Sequence, residues 1–163
     1  MNMAVHFSSD RQDWATPSDF FRILNSEFSF AFDVCANNLN AKCPRFFTEA
    51  DDALRQRWKG RCWMNPPYGR TIGKWVAKAH AEAIAGALVV CLIPSRTDTT
   101  WWHEHVMQAH EVRFVKGRLK FDGHVNSAPF PSAVVVFRPG SNSPTQFSVQ
   151  SRQRLHVEHV SLP

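Results

Sequence analysis

Apolar positions along this chain fall into patterns that predict most of its elements. Ala87 to Ile93 is an uninterrupted apolar run closed by Pro94, the mark of a strand covered on both faces. Upstream, Ile72, Trp75, Val76, Ala79, Ala83 and Ile84 recur at the i, i+3, i+4, i+7 spacing of a helix with one buried side. That spacing turns Lys74, Lys78 and Glu82 outward, and Gly86 suits the helix's C-terminal cap. Ahead of the helix, Arg61 to Met64 reads as a short buried strand. Strand, helix and strand make a β-α-β unit with a right-handed crossover and parallel strands. The loop at 65–69 and the loop Pro94-Ser95-Arg96 therefore leave the sheet at one edge, its carboxyl edge, where open α/β sheets take ligands.

The flanking segments follow the same rules. Ser18 is placed to cap a short helix with Phe20, Phe21, Ile23 and Leu24 on one side. The alternation of Phe28, Phe30 and Phe32 predicts a strand ending at Asp33. From Asp33 to Asn40 the chain is polar, and no glycine occurs before Gly60. Asn37, Asn38 and Asn40 are expected to make that turn, because asparagine tolerates left-handed backbone and bonds its own main chain. Phe46-Phe47-Thr48 reads as a brief strand, followed by the carboxylates Glu49, Asp51 and Asp52. A helix is expected over Thr100 to Ala109, a strand over Glu111 to Lys116, a basic loop over Gly117 to Gly123, and a last strand over Ser132 to Phe137. Beyond Arg138 the apolar pattern fades. The organisation expected is a loose arm at 1–13, one domain at 14–138, and a polar tail at 139–163 whose final residues re-dock.

Composition narrows the function classes. A chain of 163 residues can bury one core without disulfides or metal. No apolar run approaches the roughly 20 residues of a membrane span, and a soluble, cytoplasmic protein is expected. Cys35, Cys43, Cys62 and Cys91 are far apart with no C-x-x-C pair, so reduced thiols and no metal are expected. The His103-Glu104-His105 cluster lacks the i, i+4 spacing that puts two histidines on one helix face. Charge divides along the chain: residues 1–54 carry four Lys/Arg against eight Asp/Glu, and residues 55–163 carry fifteen against six. The basic part suits a polyanion such as nucleic acid, and the acidic part a small cation.

The stretch Asn65-Pro66-Pro67-Tyr68-Gly69 carries the candidate chemistry. Two prolines forbid helix or ladder pairing after the strand, which leaves an ordered loop at its carboxyl end. An exocyclic amine such as adenine N6 is a poor nucleophile because its lone pair is delocalised. The Asn65 side-chain oxygen and the Pro66 carbonyl could each accept one of its hydrogens and favour a pyramidal nitrogen. Tyr68, the one tyrosine of the chain, is expected to stack on a planar base swung out of a duplex. Such a loop supplies orientation without a covalent intermediate, and the transfer would be direct and in line.

Asn65-Pro-Pro-Tyr68 resembles the motif of amino-group methyltransferases dependent on S-adenosylmethionine. Asp13-Trp14 to Thr16-Pro17, Phe32 to Ala36, Asn40 to Cys43, Asp51-Asp52 with Leu54, Asn65 to Gly69, Trp75, and Gly117-Arg118 with Phe121 follow in order. Together they resemble the bacteriophage-type DNA N6-adenine methyltransferase (Dam-like) family over roughly residues 10–138. The resemblance implies an α/β fold, a trimmed Rossmann-like sheet that is mostly parallel and flanked by helices, with S-adenosyl-L-methionine as methyl donor and no metal. It implies Asn65, Pro66, Pro67 and Tyr68 at the target amine and base, and Thr16 and Pro17 at the cofactor's amino-acid end. Asp33, Cys35, Ala36 and Asn37 would form the cofactor turn, with Asp51 or Asp52 near its adenosine. Arg96, Arg118, Lys120 and Phe130 are the DNA-side candidates, double-stranded DNA is the expected partner, and the protein is expected as a monomer or homodimer, as in restriction-modification or phage methylation. The glycine-rich turn of the wider methyltransferase pattern is replaced by Ala36-Asn37-Asn38. Cytosine N4 or protein glutamine as target, and a non-catalytic DNA-binding module, are the alternatives. Cytosine C5 chemistry is set aside because no cysteine here follows a proline.

Overall fold

The apolar run at 87–93 becomes the centre of a sheet. The computed structural model describes residues 14–140 and 142–153. The arm expected at 1–13 and all but the first two residues of the re-docking segment expected over 152–163 lie outside them. The elements are α1 (Ser18–Phe28), β1 (Phe32–Asp33), β2 (Arg45–Phe46), β3 (Arg61–Met64), α2 (Ile72–Ile84), β4 (Leu88–Pro94), α3 (Thr100–Glu104), β5 (Glu111–Val115), β6 (Ser132–Phe137) and β7 (Gln146–Gln150). The sheet order is β2-β1-β3-β4-β6-β5-β7. Among the described residues β6 alone runs against the other strands. β3, α2 and β4 form the expected β-α-β unit with parallel pairing of Cys62 to Val89 and Met64 to Cys91.

Register decides which helix covers which face. Val89, Phe137, Val135 and Val112 lie opposite one another across β4, β6 and β5, so they share a face. His80 of α2 stacks on Phe137 and therefore covers that face. Trp101 of α3 packs beside Gly73 of α2, which puts α3 on the same side. Trp63 and Arg113 belong to the opposite face, where Phe21 and Glu27 of α1 meet them. Helices thus flank both sides of a mostly parallel sheet in a trimmed Rossmann-like architecture. It is trimmed between β1 and β3, where a loop and two 3-10 turns, Glu49–Asp51 and Ala53–Arg55, stand in place of crossover helices.

Several expectations are corrected. Helix α1 begins at Ser18 with Pro17 in the capping position and no side-chain cap. It continues through Phe28, so the strand expected over 28–33 shrinks to β1; Ser29 takes left-handed backbone at φ 50° and Asn25 Oδ1 accepts from Phe30 N–H at 2.9 Å. Glu82 does not face water: its carboxylate is buried, with Lys78 Nζ at 2.6 Å and Trp58 N–H at 3.2 Å, whereas Ile84 is exposed. The helix expected over 100–109 is shorter, α3 being followed by a 3-10 turn at Val106–Gln108. Residues 146–150, read from sequence as polar tail, pair in parallel with β5 as β7.

Arg113 ties α1 to the sheet. Its guanidinium grips both carboxylate oxygens of Glu27 at 2.7 Å, bonds Glu111 at 2.8 Å and lies over the Phe28 ring. Those bonds hold the Glu27 carboxyl below its ordinary range. Arg113→Met is expected to cost about 2–3 kcal/mol in urea unfolding, because two carboxylates lose their cation. A loss within experimental error of zero would show that the pair contributes nothing net.

Candidate active site

A cleft of about 500 Å3 opens at the carboxyl ends of β1, β2 and β3. Its floor is built by Asp33, which is 2% exposed. Asp33 Oδ1 accepts from Cys35 N–H at 3.2 Å and Oδ2 from Lys42 N–H at 3.0 Å, so one carboxylate closes both ends of the turn after β1. Burial pushes its pKa up to about 6, against the pull of those two N–H donors and the Lys42 charge. Asparagine does replace glycine here, through side-chain bonds to the main chain rather than through left-handed backbone. Asn37 Oδ1 accepts from Leu39 N–H at 2.8 Å and Asn40 N–H at 2.9 Å, and Asn40 Oδ1 accepts in turn from Asn37 N–H at 2.7 Å. Among the described residues other than glycine, only Ser29 and Asp52 have positive φ, so the asparagines are not left-handed.

The sequence-derived cofactor residues separate into two sets. Thr16, Asp33, Cys35, Ala36, Asn37 and Asp52 line the cleft. Pro17 caps α1 instead, and Asp51 turns away. The Asp51 carboxylate is occupied by Thr48, from whose N–H it accepts at 2.8 Å and whose hydroxyl lies at 3.0 Å. Glu49, which was not singled out from the acidic patch, lines the cleft beside Asp52. Trp14, Lys42 and Trp75, present in the resemblance without an assigned role, line it too. Trp14 stacks on His124 at 4.2 Å between ring centres and meets Phe130 edge-on at 5.0 Å.

The 65–69 loop is tied to the segment before α1. Asn65 Nδ2 donates to the Trp14 carbonyl and to Thr16 Oγ1, and Asn65 Oδ1 receives the Tyr68 hydroxyl at 2.6 Å. With both amide hydrogens directed at acceptors, the assignment of oxygen and nitrogen is fixed by the network. Pro66 and Pro67 line the cleft next to it. Tyr68 does not present a face to the cleft as the stacking role requires. Its ring is 4% exposed and sits edge-on to Phe121 and Phe130, with the hydroxyl also 3.0 Å from the Leu92 carbonyl. Burial raises the phenol well above its ordinary pKa.

The DNA-side candidates are likewise spread. Arg96 Nη2 donates to the Tyr68 carbonyl at 3.1 Å and so braces the loop. Phe130 is half-buried within the Trp14, Tyr68 and Phe121 cluster. Arg118 and Lys120 are exposed on the loop after β5, anchored by buried Leu119 and Phe121. Arg152, just past β7, donates to the Arg118 carbonyl at 2.9 Å and adds a cation to that loop. Lys42 reaches Asp122 at 3.9 Å and links the two loops across the cleft.

A profile of the DNA N-6-adenine-methyltransferase (Dam) family matches residues 5–160. The chain belongs to that family. A DNA N-6-adenine-methyltransferase of Haemophilus phage HP1 (strain HP1c1) is 30% identical over 141 residues, covering 80% of this chain and 81% of its own. YfdM of Escherichia coli (strain K12), a candidate methyltransferase by name, is 36% identical over 63 residues, 34% of this chain and 69% of its own. The Dam-family match runs past residue 138 and takes in β7, so the stretch read as a tail belongs to the family's length. This Dam-family chain is a DNA adenine methyltransferase enzyme. Among its described residues no helix is long and apolar enough to cross a membrane.

Proposed function

We propose that this Dam-family enzyme transfers a methyl group from S-adenosyl-L-methionine to N6 of an adenine swung out of DNA and held at the Asn65-Pro66 edge of the cleft. The observation that carries this reading is the fixed Asn65 amide, whose hydrogens go to Trp14 and Thr16 so that its oxygen is the group left to accept. That oxygen has two lone pairs and Tyr68 takes one, which leaves one for an N6 hydrogen. Pro66 offers a carbonyl and no competing N–H for the other. Two acceptors pull the amine toward a pyramidal geometry whose lone pair faces the methyl donor.

The cleft suits the donor. Its volume falls within the range of small-molecule sites, about 300–1,000 Å3. Asp33, Glu49 and Asp52 give it carboxylates toward a cation, and Glu49 and Asp52 stand beyond β2 where ribose hydroxyls could be accepted. Phe47, Val34 and Trp75 supply apolar wall for a purine. Bound there, S-adenosyl-L-methionine supplies a methyl on a positively charged sulfur that departs as a neutral thioether, and the methylated amine loses a proton to water.

The test is incubation with methyl-labelled S-adenosyl-L-methionine and defined duplex DNA, single-stranded DNA and RNA, followed by identification of the labelled nucleoside. N6-methyladenine from duplex DNA is expected; label only in cytosine N4 or in protein glutamine would overturn the reading. The acidic patch has its own test. Glu49→Ala is expected to raise the cofactor Kd about tenfold by calorimetry, the worth of a hydrogen bond to a charged group. Asp51→Ala should leave that Kd unchanged and lower the thermal midpoint, since it removes a cap on Thr48. The reverse ranking would return the adenosine to Asp51.

A further inference from the structure

From β3 to β7, each strand whose carboxyl end lies at the site's edge of the sheet is followed by an arginine. β6 opposes both β4 and β5, and β7 pairs in parallel with β5, so β5 and β7 point the same way as β3 and β4. The loops after these four strands therefore leave the sheet beside the 65–69 loop. Arg70 follows β3, Arg96 follows β4, Arg118 and Lys120 follow β5, and Arg152 follows β7. Through residues 65–71, 95–99, 116–131 and 151–153 the carboxylates are Asp98 and Asp122, and Asp122 faces Lys42 at 3.9 Å. Over β1 and β2 the same edge carries Asp33, Glu49, Asp51 and Asp52. The edge is acidic over the cleft and basic beyond it, and the sign changes at the end of β3, where Asn65 stands.

The far end of this row is held in place by the backbone. Arg152 Nη1 donates to the Arg118 carbonyl at 2.9 Å. Its guanidinium lies where a Cβ on Gly117 would meet it at 3.0 Å, so glycine at φ 78° leaves the room that it occupies. Lys116 N–H donates to the Gln150 carbonyl at 3.1 Å and carries the β5–β7 ladder up to that point. Lys116, Arg118 and Arg152 are thereby gathered and all are exposed. Among the described residues none of the three has a carboxylate partner, whereas Arg22, Arg55, Arg57, Lys78 and Arg113 each have one. Like charges gathered in this way repel one another until an anion joins them. A row of phosphates is such an anion.

Strand spacing sets the scale. Neighbouring strands lie about 4.8 Å apart, so the four steps from β3 through β4, β6 and β5 to β7 span about 19 Å. Phosphates on one strand of B-DNA rise about 3.4 Å per base pair, which makes that span about five or six base pairs. We propose that the duplex lies along the carboxyl edge from β3 toward β7, to one side of the flipped adenine, and that Arg152, held beside Arg118, binds its backbone about five or six base pairs from the target. This rests on the reading of the Asn65 edge as the place where the adenine enters. Phosphate contacts fix register and orientation and carry no sequence information, so Arg152 anchors the duplex and takes no part in the transfer.

The test measures methyl transfer by the full chain on duplexes that carry the site methylated by the wild type. Adenines of the complementary strand within the site are methylated beforehand, so that one target remains, and the flanks are shortened first on one side and then on the other. Loss of one flank to below about five base pairs is expected to raise KM for DNA about tenfold, and loss of the other by about twofold or less. An equal requirement on both sides would overturn the proposal. On the long duplex, Arg152→Gln should reduce the slope of log Kd against log salt by about one, with kcat at saturating DNA within about twofold. Arg152→Lys keeps the charge and should restore the slope, whereas a residue that only braces the loop after β5 would lose as much with lysine as with glutamine. That loss, or an unchanged slope in Arg152→Gln, would overturn the proposal. Lys59→Gln removes an exposed cation just before β3, at the opposite edge, and should leave the slope as it is. A loss there equal to that of Arg152→Gln would reduce the effect to net charge and overturn the proposal as well. If Arg152→Gln does not fold, the flank series on the wild type decides. Wild-type protein that methylates no adenine would sink the underlying reading, whereas adenine methylation with equal flank requirements would sink this inference alone.

Discussion

Replacement of Asn65 by alanine is expected to lower kcat by about 10²–10³-fold or more while the calorimetric Kd for S-adenosyl-L-methionine stays within a few-fold. The side chain contributes to both sides of the site, which makes the outcome specific. Its oxygen is the acceptor proposed for the amine, and its nitrogen tethers the Trp14 carbonyl and Thr16 to the loop. Alanine loses the acceptor outright, and no neighbouring side chain replaces it, because the Tyr68 hydroxyl is held at the Leu92 carbonyl. In the proposed site, cofactor binding draws mainly on the turn after β1 and the Glu49–Asp52 rim of the cleft, which alanine does not touch. Asn65→Asp separates the two roles: it keeps an oxygen for the amine and loses the donors to Trp14 and Thr16, so more transfer should survive than in Asn65→Ala. Transfer above about a tenth of wild type in Asn65→Ala would remove Asn65 from the centre of the mechanism.

The parts of this site that could be read from sequence are those fixed by pattern over many residues. The apolar run at 88–93 and the helical spacing at 72–84 place the 65–69 loop at the carboxyl edge whatever the neighbours do. β1 and β2 have two residues each, too few to carry a pattern, and the Phe28, Phe30, Phe32 alternation arose from a helix end, a left-handed Ser29 and the first residue of β1. β7 was hidden because an edge strand buries little: Phe147 and Val149 stay exposed, and Gln146, Ser148 and Gln150 read as linker. Which carboxylate of Glu49, Asp51 and Asp52 faces the cleft had a legible signal that went unused. Thr48-x-x-Asp51 is the spacing of a capping box, which assigns Asp51 to Thr48 and releases Glu49. The place of Tyr68 was not legible, since the Leu92 carbonyl that receives it lies twenty-four residues on and meets it only through the parallel pairing of β3 and β4.

Asp33 should be the residue on which the cofactor cleft depends most for its shape. Asp33→Ala leaves the Cys35 and Lys42 N–H groups without their acceptor, at about 1–3 kcal/mol each, and frees the turn between them. Cofactor affinity is expected to fall by at least about a hundredfold, since that turn supplies Cys35, Ala36 and Asn37 to the cleft. Asp33→Asn keeps one oxygen but sets its amide donor against the other N–H, so it should recover part of the stability and little of the affinity. The pH dependence has a definite sign. Burial raises the folded-state pKa to about 6 from 3.8, so the folded protein binds this proton more tightly than the unfolded chain. The stability from that proton is fully present below about pH 4 and is lost as pH rises through about 6, a change of about 3 kcal/mol for this group alone. Binding of a cationic cofactor works in the opposite direction. A positive charge brought to the cleft favours the ionised carboxylate, so its affinity should rise as pH increases from about 5 to about 7 and level off above. Calorimetric titration with S-adenosyl-L-methionine across that range checks the sign, and Asp33→Asn should flatten the curve. An affinity independent of pH in the wild type would mean that the cofactor's charge lies too far from Asp33 to be felt.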